Sequence, residues 1–176
     1  MMLIDDYLPS FDFNEKHDIL IASRPEKVYR TAGSVKFGRS LIIKCLLRMR
    51  GMSPDNFSLS EIEQSDFKKL AEKPNEELVL GLIGRPWTLT GDLQKIKSPG
   101  AFLSFDTPGF MKAVWNFSVK GEGAGSRLTT ETRVMCLDAA SRKRFGYYWM
   151  LIRPFSGLIR MEMLRLIKQQ SEIAAP

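Results

Sequence analysis

The sequence predicts an α+β fold in which a curved antiparallel sheet wraps around one long C-terminal helix. Residues 127–137 alternate between polar and apolar side chains, as a half-buried strand does. Residues 139–173 instead repeat apolar side chains at three- and four-residue steps, which is typical of an amphipathic helix. The residues before them carry several short strand patterns joined by short loops, which favours antiparallel pairing. Strands in series followed by one long helix indicate an α+β architecture.

Two short helices are predicted directly after the first strand. Ser23 is placed to cap the first one, because Pro25 is tolerated in a first helical turn. The second repeats apolar side chains every four residues and ends at Gly51. The predicted elements are an irregular lead-in (1–13), a strand (15–23), helices (24–33, 35–49 and 65–72), strands (77–83, 87–92, 101–105, 112–120 and 127–137) and the long helix (139–173).

Pro154 lies in the middle of the long helical pattern. It has no N–H to donate to the carbonyl of Met150, and its ring pushes that turn open. Gly157 adds a second weak point three residues later. We therefore expect a bend near residues 150–157, either because the helix follows a curved sheet or because the bend makes room for a ligand.

The composition is that of an ordinary globular protein. The chain has 176 residues, of which 44% are hydrophobic and 26% charged, so a single domain with a sizeable core is expected over residues 1–176. Cys45 and Cys136 lie far apart in apolar patterns, which indicates buried, reduced thiols in a cytoplasmic protein. The N-terminal residues lack the basic stretch of a secretory signal, and charged residues interrupt every apolar window before it reaches the length of a membrane span.

The net charge of +6 is a mild bias toward anionic partners, or reflects only solubility. Arg39, Lys44, Arg48 and Arg50 lie on or next to the second predicted helix. A basic helix of this kind either makes transient contact with an anionic membrane surface or is a solvated face. A homodimer that uses the basic helices as a docking face is a further alternative. No nucleic-acid recognition motif is present, so no nucleic-acid partner is predicted.

The sequence lacks the residue combinations that several kinds of reactive site require. His17 is the one histidine, and at the start of a strand it is expected to be a half-exposed structural residue. One histidine with two dispersed cysteines does not make a usual zinc site, so neither a metal nor a cofactor is predicted. The glycine-rich segment 121–125 lacks the lysine and the strand–loop–helix context of a phosphate loop, and a hairpin turn explains it.

Glu131 and Arg133 are the ionisable pair with the greatest potential for chemistry. Residues two apart in a strand point the same way, so the pair shares the less apolar face of residues 127–137. On that face they would form a solvated ion pair of little energetic value. If they instead faced a cavity, Arg133 could hold a ligand carboxylate and Glu131 could act as an acid or base with a raised pKa.

Aromatic side chains are the expected walls of any pocket. Trp87, Trp115, Phe117 and Trp149 serve either as these walls or simply as core. Tyr148 and Arg153 are the polar groups on the long helix best placed to reach the polar head of a ligand, unless they are merely exposed.

Several short stretches of the sequence carry a family resemblance. They are Thr130 to Val134, Phe145, Tyr148 with Trp149, Ile152 to Arg160, Gly81 with Gly84 and Arg85, and Phe105 with Pro108 and Gly109. In these residues and in the order of its elements, the chain resembles the START-related superfamily of helix-grip proteins (SRPBCC), which includes polyketide cyclases and pollen-allergen-like lipid binders, and more narrowly a bacterial branch of it. The resemblance spans about residues 14–172.

This resemblance implies a helix-grip fold with a deep cavity between the sheet and the long helix, and a lipid or other apolar molecule as the ligand. It does not imply a reaction, because fold does not fix function. The predicted ligand contacts are Trp87, Trp115, Phe117, Tyr148, Trp149, Ile152, Arg153 and Phe155. One alternative is a polyketide cyclase- or dehydratase-like enzyme that uses Glu131, Arg133 and Tyr148. A second is a structural or interaction protein without a ligand.

Overall fold

The computed structural model describes residues 2–37, residue 40 and residues 67–173, and a five-stranded sheet lies at its centre. The strands are β1 (Phe13–Ile21), β2 (Lys68–Lys73), β3 (Glu77–Gly84), β4 (Met111–Glu122) and β5 (Gly125–Cys136). Their spatial order is β1-β5-β4-β3-β2, and every neighbouring pair is antiparallel. The first strand along the chain therefore closes one edge of the sheet by pairing with the last.

Helices cover both faces of the sheet. They are α1 (Leu3–Tyr7), α2 (Pro25–Ser34), α3 (Pro99–Ser104) and α4 (Ala139–Glu172). The face toward α4 and α2 is called the inner face here, and the face toward α1 and α3 the outer face. An antiparallel sheet with a long C-terminal helix packed on it is an α+β architecture of the helix-grip kind, so the predicted fold class is confirmed.

The inner face packs on α4 through two apolar clusters. The larger cluster joins Trp115, Phe117, Val119 and Leu128 of the sheet to Ile159, Met163, Leu164 and Ile167 of the helix. The smaller cluster joins Met111, Ala113 and Val134 to Phe145 in the first half of α4. Side chains two apart on one strand share a face, and this alternation supplies the sheet side of both clusters.

The outer face is buried as well. Ile4 and Leu8, at the two ends of the short N-terminal helix, pack with Phe102 of α3 against Val79 and Val114. Burying side chains of this size contributes about 1.5–3 kcal/mol each. The lead-in predicted as irregular thus contains a helix, and it shields one face of the sheet from solvent.

The long helix begins and ends close to its predicted bounds. Its N-cap is Asp138, whose carboxylate accepts a hydrogen bond from the backbone N–H of Ser141 at 2.7 Å. The helix continues through Pro154 without interruption. Within the described part of the chain, no helix combines the length and the apolar character that crossing a bilayer requires.

Three central elements differ from the prediction, because local turn and cap chemistry and pairing outweigh propensity. Residues 68–73 form a strand rather than the end of a helix, paired with β3 across a turn in which Asn75 has a positive φ of 65°. Residues 87–92 form turns, closed by a bond from the N–H of Arg85 to the carbonyl of Gly91 at 2.7 Å. Residues 101–104 belong to helix α3, which Ser98 caps.

Two predictions near the first helix have different outcomes. The N-cap of α2 is Arg24 rather than Ser23, and its side chain makes no capping hydrogen bond. Pro25 occupies the first helical turn as expected. The helix predicted for residues 35–49, with its basic side chains, lies almost entirely outside the described residues.

Candidate functional site

A row of polar side chains crosses the otherwise apolar inner face. On β1, Glu15 and His17 share the parity of Ile19 and Ile21, so all four lie on the side of the sheet that packs on α4. The β1–β5 register pairs Glu15 with Thr132, and the β4–β5 register pairs Trp115 with the same threonine. The row therefore lies between the two apolar clusters.

The row contains an acid, an imidazole and a guanidinium in close proximity. His17 Nε2 is 3.1 Å from Glu15 Oε1, and Arg160 Nε on α4 is 3.8 Å from Glu15 Oε2. The side chains of Glu15, Arg160 and His17 are 6%, 13% and 25% exposed, so the cluster is mostly desolvated but retains an opening at His17. We call Glu15, His17, Thr132 and Arg160 the inner cluster.

Gly157 allows α4 to approach this cluster closely. A Cβ atom at this position would lie 2.9 Å from Glu15 Oε1 and 3.6 Å from His17 Nε2. Any larger residue would have to displace the carboxylate. The glycine therefore sets the distance between the helix backbone and the inner cluster.

In the inner cluster, Glu15 Oε2 and Thr132 Oγ1 are buried without a hydrogen-bond partner among the described residues. Burying a polar atom in this way costs about 1–3 kcal/mol, and more for a charged group. The neighbouring Trp115 indole does not relieve this cost, because its Nε1 donates to Thr130 Oγ1 at 2.7 Å.

The inner cluster can hold a polar group by several routes. Glu15 Oε2 can accept a hydrogen bond from a hydroxyl or an N–H group of a ligand, and the Thr132 hydroxyl can both donate and accept. The Arg160 guanidinium carbon lies 4.9 Å from the Trp115 ring centroid, which keeps a cation over an aromatic face beside the carboxylate. Apolar side chains on both sides of the cluster would contact the remainder of a ligand.

The residues predicted for a site include neither Glu15 nor Arg160, and His17 is predicted to be structural. A usable signal existed on β1, where Glu15 and His17 continue the face of Ile19 and Ile21. Arg160 also interrupts the apolar face of the long helix one position after Ile159. Neither signal shows that the two faces meet, because that contact joins residues 145 positions apart in the chain (160 − 15).

Glu131 and Arg133 lie on the outer face, away from α4, and they are buried. Arg133 Nε donates to Glu131 Oε1 at 2.7 Å, and Arg133 Nη1 donates to Asp5 Oδ1 at 2.8 Å. Asn14 Nδ2 also donates to Glu131 Oε1, at 2.7 Å. We call Asp5, Asn14, Glu131 and Arg133 the outer cluster. The ion pair of Glu131 and Arg133 is thus neither exposed to solvent nor on the inner face.

Hydrogen bonds fix the charges of the outer cluster. The bond from Arg133 lowers the pKa of the Asp5 carboxyl below its ordinary value. Burial alone would lower the pKa of Arg133, but the bonds to Glu131 and Asp5 outweigh it and raise that pKa. Tyr148 lies on the other side of the sheet beside Phe145, so the structure does not bring the three proposed acid–base residues together.

The eight predicted ligand contacts fall into three groups. Trp115 and Phe117 are buried in the larger inner cluster of apolar residues. Trp87, Tyr148 and Trp149 surround Phe145, with ring centroids 6.2, 5.8 and 5.7 Å from it. Ile152 is half-buried, and Arg153 and Phe155 are exposed. The first two groups lie on either side of the inner cluster.

One concave surface on the described residues is an open groove of about 500 Å³ at the start of α4. Its lining residues are Phe13, Ala139, Arg142, Lys143, Gly146, Tyr147 and Met150. None of the eight predicted ligand contacts lines this groove.

Three solved structures are similar to this chain in fold. Protein CV1439 from Chromobacterium violaceum has a TM-score of 0.45 at 10% identity, over 93% of this chain and 100% of its own. The di-domain ARO/CYC BexL from the BE-7585A biosynthetic pathway has a TM-score of 0.36 at 12% identity, over 93% of this chain and 51% of its own. The Zhui aromatase/cyclase from Streptomyces sp. R1128 has a TM-score of 0.31 at 11% identity, over 91% and 93%.

No family model and no curated protein matches the sequence. Two of the three solved structures are aromatase/cyclases by name, and the similarity of this chain to them is one of overall fold. At these identities it concerns the fold and leaves ligand and reaction to the chemistry of this chain.

Proposed function

We propose that this protein binds an apolar small molecule that carries a hydroxyl or N–H group, between the inner face of the sheet and α4. The observation that carries this proposal is the buried Glu15 Oε2, which has no hydrogen-bond partner among the described residues inside an apolar interface. A donor on the ligand would satisfy that oxygen, and the Thr132 hydroxyl lies in the paired position on the next strand.

The residues around the inner cluster support an apolar body for the ligand. Trp115 and Phe117 lie on one side, and the group around Phe145 with Trp149 lies on the other. Ligand sites of this kind are lined mainly by apolar and aromatic side chains, with few polar groups that fix orientation. A lipid, a sterol-like alcohol or a phenol has this combination of features, and a phosphate or a sugar does not.

The test combines ligand identification with a matched pair of variants. Native mass spectrometry of the protein from its own host, followed by extraction, identifies what is bound. Affinity for that molecule, or for a panel of apolar alcohols and phenols, is then compared between Glu15→Gln and Glu131→Gln. We expect at least about a tenfold loss for Glu15→Gln, as for a hydrogen bond to a charged group, and no loss for the control on the outer face. Equal affinities in both variants would contradict the proposed site.

A second candidate function is a cyclase- or dehydratase-like enzyme, which the 3.1 Å contact between Glu15 and His17 favours. A carboxylate beside an imidazole is a common arrangement for moving protons. These residues replace Glu131 and Arg133 in that hypothesis, because the latter lie on the outer face. Burial raises the pKa of the Cys136 thiol to about 12, so this cysteine is not a ready nucleophile. Loss of turnover in His17→Asn with unchanged ligand affinity would support the enzyme over the carrier.

The remaining hypotheses concern partners and location. A homodimer, and membrane contact by the basic residues Arg39, Lys44, Arg48 and Arg50, stay predictions, and those four residues lie outside the described ones. A cytoplasmic location also stays a prediction. A structural role without a ligand predicts that native mass spectrometry finds an empty protein and that Glu15→Gln affects nothing but stability.

A further inference from the structure

The outward side of α4 carries an exposed apolar stripe. It consists of Tyr147, Met150, Leu151, Leu158 and Met161, all of which are exposed. Three- and four-residue steps place these side chains on one side of the helix, opposite the buried Phe145, Ile159 and Met163. The exposed fractions of Leu151 and Leu158 are 70% and 51%, so the sheet does not cover the stripe.

Basic residues predominate around this stripe. Residues 139–161 contain five basic residues and no acidic residue. Lys143 and Arg144 are exposed one turn before the stripe, Arg153 at its edge, and Arg165 one turn after it. The adjacent Glu162 side chain is mostly buried, accepts a hydrogen bond from the Ser40 hydroxyl at 3.0 Å and lies 3.7 Å from Arg165 Nη1.

We infer that the stripe docks on an anionic lipid surface. At about 1.5 Å per residue, the stripe from Tyr147 to Met161 is roughly 20 Å long, which suits a helix lying in the plane of a membrane interface. Such a helix buries its apolar side in the acyl boundary and places lysines and arginines among the headgroups. A second copy of this chain on the same stripe would instead bring two basic surfaces together, which like-charge repulsion disfavours.

The open groove at the start of α4 continues this surface. Tyr147 and Met150 belong both to the stripe and to the groove wall. Lys143 lines the same groove, together with Arg142, whose Nε is 3.2 Å from Asp12 Oδ1. The surface therefore combines apolar contact with a basic recess at one end. That combination matches a lipid, whose anionic headgroup and acyl chain are adjacent.

This inference does not depend on the ligand of the inner cluster. The stripe and the inner cluster lie on opposite sides of α4, so docking would hold the inner cluster about one helix diameter, roughly 10 Å, from the lipid. A ligand soluble in the bilayer would then have a short route to the sheet.

Flotation with vesicles tests the docking surface in the intact chain. Vesicles of phosphatidylcholine alone are compared with vesicles that also contain phosphatidylserine, at low and at high salt. We expect binding to the anionic vesicles, weakened by salt, and little binding to the neutral ones. The double variant Leu151→Glu with Leu158→Glu should lose at least about tenfold in partitioning. Lys143→Glu with Arg144→Glu should lose about fivefold for each basic residue removed.

Leu89→Glu is the matched control, because Leu89 is a fully exposed leucine in a turn that is not part of the stripe. It should bind vesicles like the wild type, and circular dichroism should show that all variants are folded. Equal binding of both vesicle types, or unchanged binding of the Leu151/Leu158 variant, would overturn the inference. So would a dimer in solution that the Leu158→Glu variant converts to a monomer without any vesicle binding, because the stripe would then be a contact between two copies.

Discussion

Each face of the sheet places an arginine beside a buried glutamate, but the two pairs differ in their hydrogen bonds. In the outer cluster, Glu131 and Arg133 are joined at 2.7 Å, and Asp5 and Asn14 supply further hydrogen bonds. In the inner cluster, Glu15 and Arg160 are 3.8 Å apart, and Glu15 Oε2 has no hydrogen-bond partner among the described residues. The glutamate side chains are equally buried, at 5% and 6% exposed. Burial alone therefore does not distinguish the two clusters, whereas hydrogen-bond satisfaction does.

The outer cluster joins the N-terminal segment to the sheet through hydrogen bonds. Asp5 belongs to α1, Arg133 to β5, and the carbonyl of Leu8 accepts from the same guanidinium at 3.2 Å. Glu77 extends the contact by accepting from the backbone N–H of Leu3 at 2.7 Å. Among the described residues, no side-chain atom of this cluster is buried without a hydrogen-bond partner, so the cluster does not need a ligand to satisfy it.

The largest expected effect is the loss of the outer guanidinium. Arg133→Met should destabilise the protein by about 3–5 kcal/mol, because it leaves the Glu131 carboxylate buried without its cation. Urea unfolding followed by circular dichroism measures this change. Arg160→Met is the matched variant on the inner face, and we expect it to cost less because its carboxylate partner is more distant. Equal losses in the two variants would remove the distinction between the clusters.

The two glutamates provide the next comparison. Glu131→Gln should cost about 1–3 kcal/mol, because a neutral amide weakens the charged hydrogen bonds from Arg133 and places an N–H beside a donor. Glu15→Gln should stay within about 1 kcal/mol of the wild type, because it also removes the cost of an incompletely paired buried charge. Thermal and urea unfolding of both variants tests this order. A larger loss for Glu15→Gln would mean that the inner carboxylate is a structural group as well.

Gly157→Ala examines the inner cluster from the side of the helix. The added Cβ would lie 2.9 Å from Glu15 Oε1, which is the end of a flexible side chain, so the carboxylate is expected to move. Because alanine raises helix propensity by up to about 1 kcal/mol, the net stability change should be small, while affinity for the ligand falls. Gly146→Ala is the control, since its Cβ would meet Phe13 only at an ordinary 3.7 Å. Loss of affinity in both variants, or in neither, would contradict a specific role for Gly157.

Local sequence patterns predict the long strands and the C-terminal helix well, and they predict the short elements in the middle of the chain poorly. The alternation in residues 77–83, 112–120 and 127–137 and the helical repeat in 139–173 are confirmed by β3, β4, β5 and α4. The strand predicted for residues 101–105 is wrong, because most of these residues belong to helix α3: its phenylalanine and leucine favour a strand, whereas Ser98 followed by a proline is the signal of a capped helix.

The polar clusters depend on contacts that a local pattern does not contain. Alternation on β5 places Glu131 and Arg133 on the less apolar side of the strand. That side is covered by α1, which contacts Arg133 from more than 120 residues earlier in the chain. Likewise, Glu15 and His17 lie on the apolar side of β1, and only the packing of α4 shows that Arg160 and Gly157 meet them. The polar groups of a site are therefore harder to infer than the strands that carry them.

The smallest expected effect is a change in the stability of the fold at acidic pH. Because Arg133 lowers the pKa of Asp5 below its ordinary value of 3.8, the ionised carboxylate stabilises the fold above that pH, and this contribution disappears as the pH falls through the lowered pKa of the folded state. Asp5→Asn should therefore reduce stability slightly near neutral pH and make little difference at the acid end. Unfolding midpoints of the wild type and Asp5→Asn, measured across the acid range, should converge as the pH falls. If the two curves of midpoint against pH stay parallel, the Asp5 charge does not stabilise the contact between α1 and the sheet. The contrast between the two faces would then rest on Glu131 and Arg133 alone.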